Sequence, residues 1–332
     1  MKLFTEVSCE KLSTIARTDS VCVLGSCFAD EMGARLSDAG FDVLRNPFGT
    51  LYNPASIAAA VQRLDSGMPF KQEDCVEMGA GAGLVCSFSH HTSFARPTAE
   101  EFLAYANGRL KEDARRWRAC THVILTLGTA RVWRALERPG APVVANCLKR
   151  PAAEFSHEML SVEACTALLR GIIDAHPEKH FILTVSPIRH LGDGAHLTTL
   201  SKSTLHLAIE QVSQPADGRR SGVPAARHPS SLPADAGTGF GATNPAAAEP
   251  SPSGSTGTAL FPSAVHYFPA YEILLDELRD YRFYAEDLVH PAPAAVQIVW
   301  ERFLDACTDP ADRPRILAAL RASRSTHHRP IL

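Results

Sequence analysis

Two short stretches far apart in the chain hold the side chains that acyl chemistry needs: Leu24-Gly25-Ser26-Cys27 and Asp287-Leu288-Val289-His290. A serine hydroxyl is a weak nucleophile until a neighbouring imidazole takes its proton, and the imidazole works best when a carboxylate orients it. Asp287 stands three residues ahead of His290, so one turn of chain lets the carboxylate hold the ring. Ser26 ends an apolar run and opens a helical pattern. That places its hydroxyl at a strand-to-helix turn on the carboxyl edge of a sheet, where open α/β folds collect ligands. At a helix start its own N–H faces a developing oxyanion, and Gly25 lets the backbone turn without a clashing Cβ.

Each stretch also has a plainer reading. Serine is a favoured N-cap, a role worth about 1 kcal/mol, although Ala29 stands where the Glu or Gln of a reciprocal capping box would be. Cys27 is a rival nucleophile, because a thiol at a helix start can be acidified. Asp-x-x-His before Pro291 is also a common turn sequence. What lifts both stretches is their position after the first and the last expected strands. Arg189 and His190, after the fourth strand, are candidates to line the same crevice. His90-His91 lacks a metal-binding spacing and reads as a polar loop or strand end. Lys202 falls in a helical segment and reads as solvated, and the aromatics from Tyr281 to Tyr284 read as packing.

The elements that must position these groups follow from hydrophobic patterning. Five apolar runs, Val21–Leu24, Phe41–Leu44, His122–Leu127, Phe181–Val185 and Ala264–Phe268, lack the alternation of a half-exposed strand. Strands covered on both faces by crossover helices have this pattern, so the runs imply a mainly parallel five-stranded sheet. Helical spacing occupies Phe28–Ala39, Ala55–Leu64, Ala99–Trp117, Val162–Ile173, Leu200–Val212, Tyr271–Leu278 and Ala295–Leu304. The alternation predicts a three-layer α/β/α sandwich. Val76–Phe88 reads as a hairpin around its glycines, and Arg131–His157 as a long insertion that shapes a binding site.

One domain is expected over residues 1–322. A Pro-, Gly-, Ser- and Ala-rich loop at 213–258 interrupts it, with too few apolar residues to offset the entropy of ordering, and a loose tail occupies 323–332. The 33 basic and 36 acidic residues are interspersed, so no block is suited to a nucleic-acid backbone or an anionic membrane; a small, roughly neutral substrate fits better. Glu6 and Glu10 interrupt the N-terminus before any signal-peptide core develops, and no stretch is long and apolar enough to span a bilayer. Nine irregularly spaced cysteines without a Cys-x-x-Cys pair argue against disulfide or zinc frameworks. A cytoplasmic protein without metal or organic cofactor is the expectation.

The pentapeptide Gly25-Ser26-Cys27-Phe28-Ala29 resembles the signature of the GSCFA family, and Tyr267-Phe268-Pro269-Ala270-Tyr271-Glu272 through Asp287-Leu288-Val289-His290-Pro291 is similar to its C-terminal block. Asn46–Pro54, Leu127–Ala130, Asn146–Lys149 and Ser186–His190 also resemble family segments. The family is related to the SGNH/GDSL esterase superfamily, whose members cleave or transfer acyl esters, often on carbohydrates. The resemblance implies Ser26 as nucleophile, His290 and Asp287 as base and orienting acid, and the Ser26 and Gly49 backbone N–H groups as oxyanion donors. The superfamily's third donor is an asparagine after the third strand. Here Gly128-Thr129-Ala130 replaces it, leaving Thr129, Asn53 or Asn146 as substitutes and Asn53, Asn146, Arg189 and His190 as substrate-binding candidates.

Overall fold

The computed structural model describes residues 5–12, 15–213 and 265–327. Its strands in chain order are β1 (Ser20–Gly25), β2 (Asp42–Arg45), β3 (Val76–Glu77), β4 (Val85–Cys86), β5 (His122–Leu127), β6 (Arg131–Ala135), β7 (Val143–Val144), β8 (Phe155–Met159), β9 (His180–Val185) and β10 (Val265–Tyr267). The helices are α1 (Cys27–Asp38), α2 (Pro54–Ser66), α3 (Ala99–Ala119), α4 (Val162–Asp174), α5 (Ala195–Ser213), the single turn α6 (Ala270–Glu272), α7 (Pro293–Cys307) and α8 (Arg313–His327). All five expected strands form one sheet in the order β10-β9-β5-β1-β2, and every pairing is parallel.

The unalternating runs are explained by what covers the sheet. Successive residues of a strand point to opposite faces. Cys22, Leu24, Val123, Leu125, Leu127, Phe181, Leu183 and Val185 pack on one side with Ile57 of α2, Phe102 and Trp117 of α3, Leu169 of α4 and Leu205 of α5. Val21, Val23, Ile124 and Ile182 pack on the other with Phe28, Met32 and Leu36 of α1 and Trp300 and Phe303 of α7. The fold is therefore a three-layer α/β/α sandwich with apolar burial on both faces, each large side chain contributing roughly 1.5–3 kcal/mol.

The helix edges obey local chemistry. Asn53 caps α2 by accepting from the Ser56 N–H, Thr98 caps α3 and Ser161 caps α4. Three segments differ from the expectation. Tyr271–Leu278 is not a regular helix: after α6 the chain widens into a π-type turn over Ile273–Glu277, which lets Ile273 and Leu274 both reach the core. The insertion at Arg131–His157 builds its own antiparallel sheet, β7-β6-β8, beside the β3–β4 hairpin. The final helix α8 was not foreshadowed, because its sequence is mostly polar and, among the described side chains, only Ile316 is fully buried in the core, with Leu320 packed against it. It carries the start of the expected loose tail, Ser323, on to His327, and 328–332 lie outside the described residues. So does the low-complexity loop of 213–258 beyond Ser213, the last residue of α5. No helix among the described residues is long and apolar enough to cross a membrane.

His90 lies in the turn after β4, as expected of a loop or strand end, but its ring is part of the core. It is 1 % exposed, with its ring against Phe48, Phe70, Phe94 and Phe102 and Nδ1 2.7 Å from the Ser87 hydroxyl. Burial, with a smaller contribution from Arg63, pushes its pKa from 6.5 down to about 3. As pH falls below 6.5 the unfolded chain takes up this proton while the folded one does not. Stability is therefore lost on acidification between these values, by up to about 1.4 kcal/mol per pH unit from this group. Denaturant melts of wild type and His90→Leu across that range are expected to show a shallower acid slope in the variant.

Candidate active site

β1 delivers Ser26 to the sheet edge through a turn that only glycine allows. Gly25 has φ +146°, and a Cβ there would stand 2.2 Å from the Thr126 carbonyl oxygen. The Gly25 N–H donates to Asn46 Oδ1 at 2.9 Å, the Leu51 N–H donates to the Gly25 carbonyl at 2.8 Å, and Asn46 Nδ2 donates to Asp30 Oδ1 at 3.0 Å in the first turn of α1. One asparagine thus ties the strand end to the helix start.

Ser26 occupies the N-cap position of α1 but its side chain makes no capping hydrogen bond. The residue is fully buried, and its Oγ has no hydrogen-bond partner among the described residues. The plainer reading of Ser26 as a cap therefore does not describe this hydroxyl. Cys27 beside it is a poor thiolate. Burial raises its pKa, outweighing the backbone N–H groups of Cys27 and Phe28 that lower it.

Asp287 and His290 form the expected pair. His290 Nδ1 lies 2.5 Å from Asp287 Oδ2, while Asp287 Oδ1 accepts from the N–H groups of Val289 and His290 at 3.0 and 2.9 Å. Those two backbone donors, and then the ring, hold the Asp287 pKa down at about 2, so the carboxylate is ionised at any physiological pH. Leu288 takes φ +56° to close the turn, and the Ala285 N–H binds the His290 carbonyl across its base. Both side chains are about half exposed, at 50 % and 51 %. His290 makes no hydrogen bond to Ser26, whose hydroxyl is covered.

The expected backbone oxyanion donors are committed elsewhere. The Ser26 N–H donates to Thr126 O at 3.2 Å and the Gly49 N–H to Asn46 O at 2.7 Å. Thr129 Oγ1 lies 2.9 Å from Ser201 Oγ and accepts from the Arg131 N–H, which joins the β5–β6 turn to α5. Asn53 Oδ1 is the α2 cap, and Asn146 Oδ1 accepts from the Leu148 N–H inside a loop where Leu148 and Lys149 both have positive φ. Arg189 binds Ala195 O and Thr199 Oγ1 at the start of α5.

A cavity of about 340 Å³ opens beside this edge. Asn53, Thr129 and His190 line it, together with Tyr52, which sequence reasoning passed over, and Arg131 and Trp133 of the insertion expected to shape a binding site. The Trp133 ring stacks on His157 at 3.8 Å, and Arg131 pairs with Asp193 at 3.2 Å. Asn146 and Arg189 do not line this cavity.

Lys202 corrects the expectation of a solvated side chain most sharply. It is 2 % exposed, its Nζ donates to Ser186 O at 2.7 Å, and among the described residues no carboxylate pairs with it. Burial lowers its pKa to about 7, opposed by Cys27 and aided by Arg189. Its burial was not legible, because Ser201, Ser203 and Thr204 beside it make that stretch of the helix polar. Because burial holds the Cys27 thiol up, iodoacetamide at neutral pH is expected to modify Cys27 no faster than an ordinary free thiol, and Cys27→Ser to keep folding and ligand reactivity within about tenfold of wild type. Rapid, selective alkylation of Cys27 would restore the thiol as the nucleophile.

Comparison with curated proteins and with solved structures finds no match. The model of the GSCFA family matches residues 20–220 and 258–303, a span that holds both the Gly25–Ala29 turn and the Asp287–His290 pair. This chain therefore belongs to the GSCFA family.

Proposed function

We propose that the protein is a serine esterase-type hydrolase or O-acyltransferase that acts on an acyl ester through Ser26, His290 and Asp287. The observation that carries this reading is the Ser26 hydroxyl: fully buried at a helix N-terminus, uncapped and without a partner. A buried polar atom left unsatisfied costs about 1–3 kcal/mol, and such groups persist where chemistry needs them. The second support is an oriented imidazole. Asp287 accepts from His290 Nδ1, which leaves Nε2 as the proton acceptor, and the ionised carboxylate stabilises the imidazolium that forms.

In this scheme His290 moves against Ser26 when substrate displaces the cover over the hydroxyl. Ser26 Oγ then bonds to the ester carbonyl carbon as its proton passes to His290 Nε2. Collapse of the tetrahedral adduct expels the alcohol, which receives that proton. Water or a second alcohol then cleaves the acyl-enzyme, the choice that separates hydrolase from acyltransferase. A carbohydrate ester is the substrate that the superfamily relationship suggests, and the Trp133–His157 stack beside the cavity offers an apolar platform for a ring.

A second reading, a ligand-binding module with little turnover, draws support from the absence of a Ser26–His290 hydrogen bond and from the engaged Ser26 and Gly49 N–H groups. Hydrolysis of p-nitrophenyl acetate separates the two. The enzyme reading expects Ser26→Ala and His290→Ala each to lower kcat by roughly four or more orders of magnitude, with Asp287→Asn losing roughly 10³–10⁴-fold. Wild-type turnover no faster than that of the three variants and of buffer alone would favour the binding module.

A further inference from the structure

An oxyanion at Ser26 needs donors whose hydrogen atoms are not already committed. Around the turn the expected backbone donors are engaged: Ser26 N–H on Thr126 O, Gly49 N–H on Asn46 O, and the N–H groups of both Gly128 and Thr129 on Tyr52 O at 2.8 Å. The Thr129 hydroxyl is engaged with Ser201 and Arg131. A side chain can add a donor to those that the start of α1 offers.

His190 meets the requirement by position. Its Nε2 is buried and has no hydrogen-bond partner among the described residues. That atom lies 3.3 Å from where a Cβ on Gly128 would stand, so it overlooks the first residue beyond β5. Gly25 pairs with Thr126 in the β1–β5 register, which puts Ser26 beside Leu127 and the ring over the residue after it. The Tyr52 ring, edge-on at 5.2 Å, and the Thr198 hydroxyl, which donates to the His190 carbonyl at 2.8 Å, hold the residue in place.

Its charge state suits a donor. Burial, and then the nearby Lys202 ammonium, push its pKa down to about 4, so the ring is neutral at physiological pH. A neutral imidazole carries one N–H and can polarise a carbonyl without the cost of burying a further charge.

We propose that His190 is a catalytic residue of this site, its Nε2–H donating to the oxyanion that forms when Ser26 attacks an ester carbonyl. The inference rests on the serine mechanism proposed above. No proton is transferred by His190: the carbonyl π pair moves onto oxygen as the Ser26 Oγ–carbon bond forms, and the His190 N–H strengthens its hydrogen bond to that oxygen. The pair returns when the alcohol leaves. Glycine at 128 keeps the approach open, since even a methyl group there would meet the ring at 3.3 Å.

The test compares His190→Gln with His190→Met in phosphonylation by a fluorophosphonate. The two side chains match in length, and only glutamine places an N–H near the Nε2 position, so a folding defect from losing the ring affects both alike. The expected result is a rate constant for Met roughly 10²–10³-fold below wild type, with Gln restored to within about tenfold. The ester assay should place the Met loss in kcat and leave KM nearly unchanged. Equal rates for Gln and Met, or a Met variant as fast as wild type, would overturn the donor role while the serine mechanism stands. A wild-type protein that phosphonylates nowhere overturns the serine mechanism itself.

Discussion

A carbonyl oxygen occupies the space where Gly25 would carry a side chain. The Thr126 oxygen lies 2.2 Å from that position, and the same oxygen accepts the Ser26 N–H, so β5 clamps the end of β1 at the point where the chain leaves the sheet. Asn46 closes the clamp from the other side by accepting the Gly25 N–H and reaching to Asp30 on α1. The direction of α1, the depth of Ser26 and the position of Cys27 at the helix start all follow from this arrangement. Any Cβ at residue 25 would have to push two strands apart, and its φ of +146° would be strained even with space.

Polar groups left without partners gather at this same edge. Besides Ser26 Oγ and His190 Nε2, the hydroxyls of Thr126 and Thr184 are buried and unpartnered, and these two threonines are neighbours in the β5–β9 register. Lys202 adds a buried amine held by one carbonyl. The helix caps elsewhere are satisfied, as at Asn53, Thr98 and Ser161. Each such group costs stability, and several of them share this sheet edge. The cavity beside Asn53 and His190 is where that edge meets the insertion sheet.

Much of this fold was readable because both faces of the sheet are buried. Runs such as Val123-Ile124-Leu125 lack alternation for that reason, and Leu125 and Ile124 do face opposite cores. The turn at Ser26 was readable because Gly25 and Ser26 mark a strand end and a helix start. What escaped was decided by tertiary contacts. The pattern of α5 could not show that Lys202 projects over the sheet edge to Ser186, since a lone lysine on a helix is ordinarily solvated. Nor could it show that the Gly49 hydrogen is taken by Asn46, a tight-turn contact that depends on positive φ at both residues. His90 looked polar because its aromatic cage is assembled from Phe48, Phe70, Phe94 and Phe102, which come from separate segments.

The central claim is that an acyl group passes through Ser26. Acid quench during turnover of an activated ester, followed by mass spectrometry of the tryptic peptide from Thr18 to Arg35, tests it most directly. The account predicts a mass gain of one acyl group, fragment ions that place it on Ser26, and its loss in Ser26→Ala. An acyl group on Cys27, or turnover with an unmodified peptide, would contradict it.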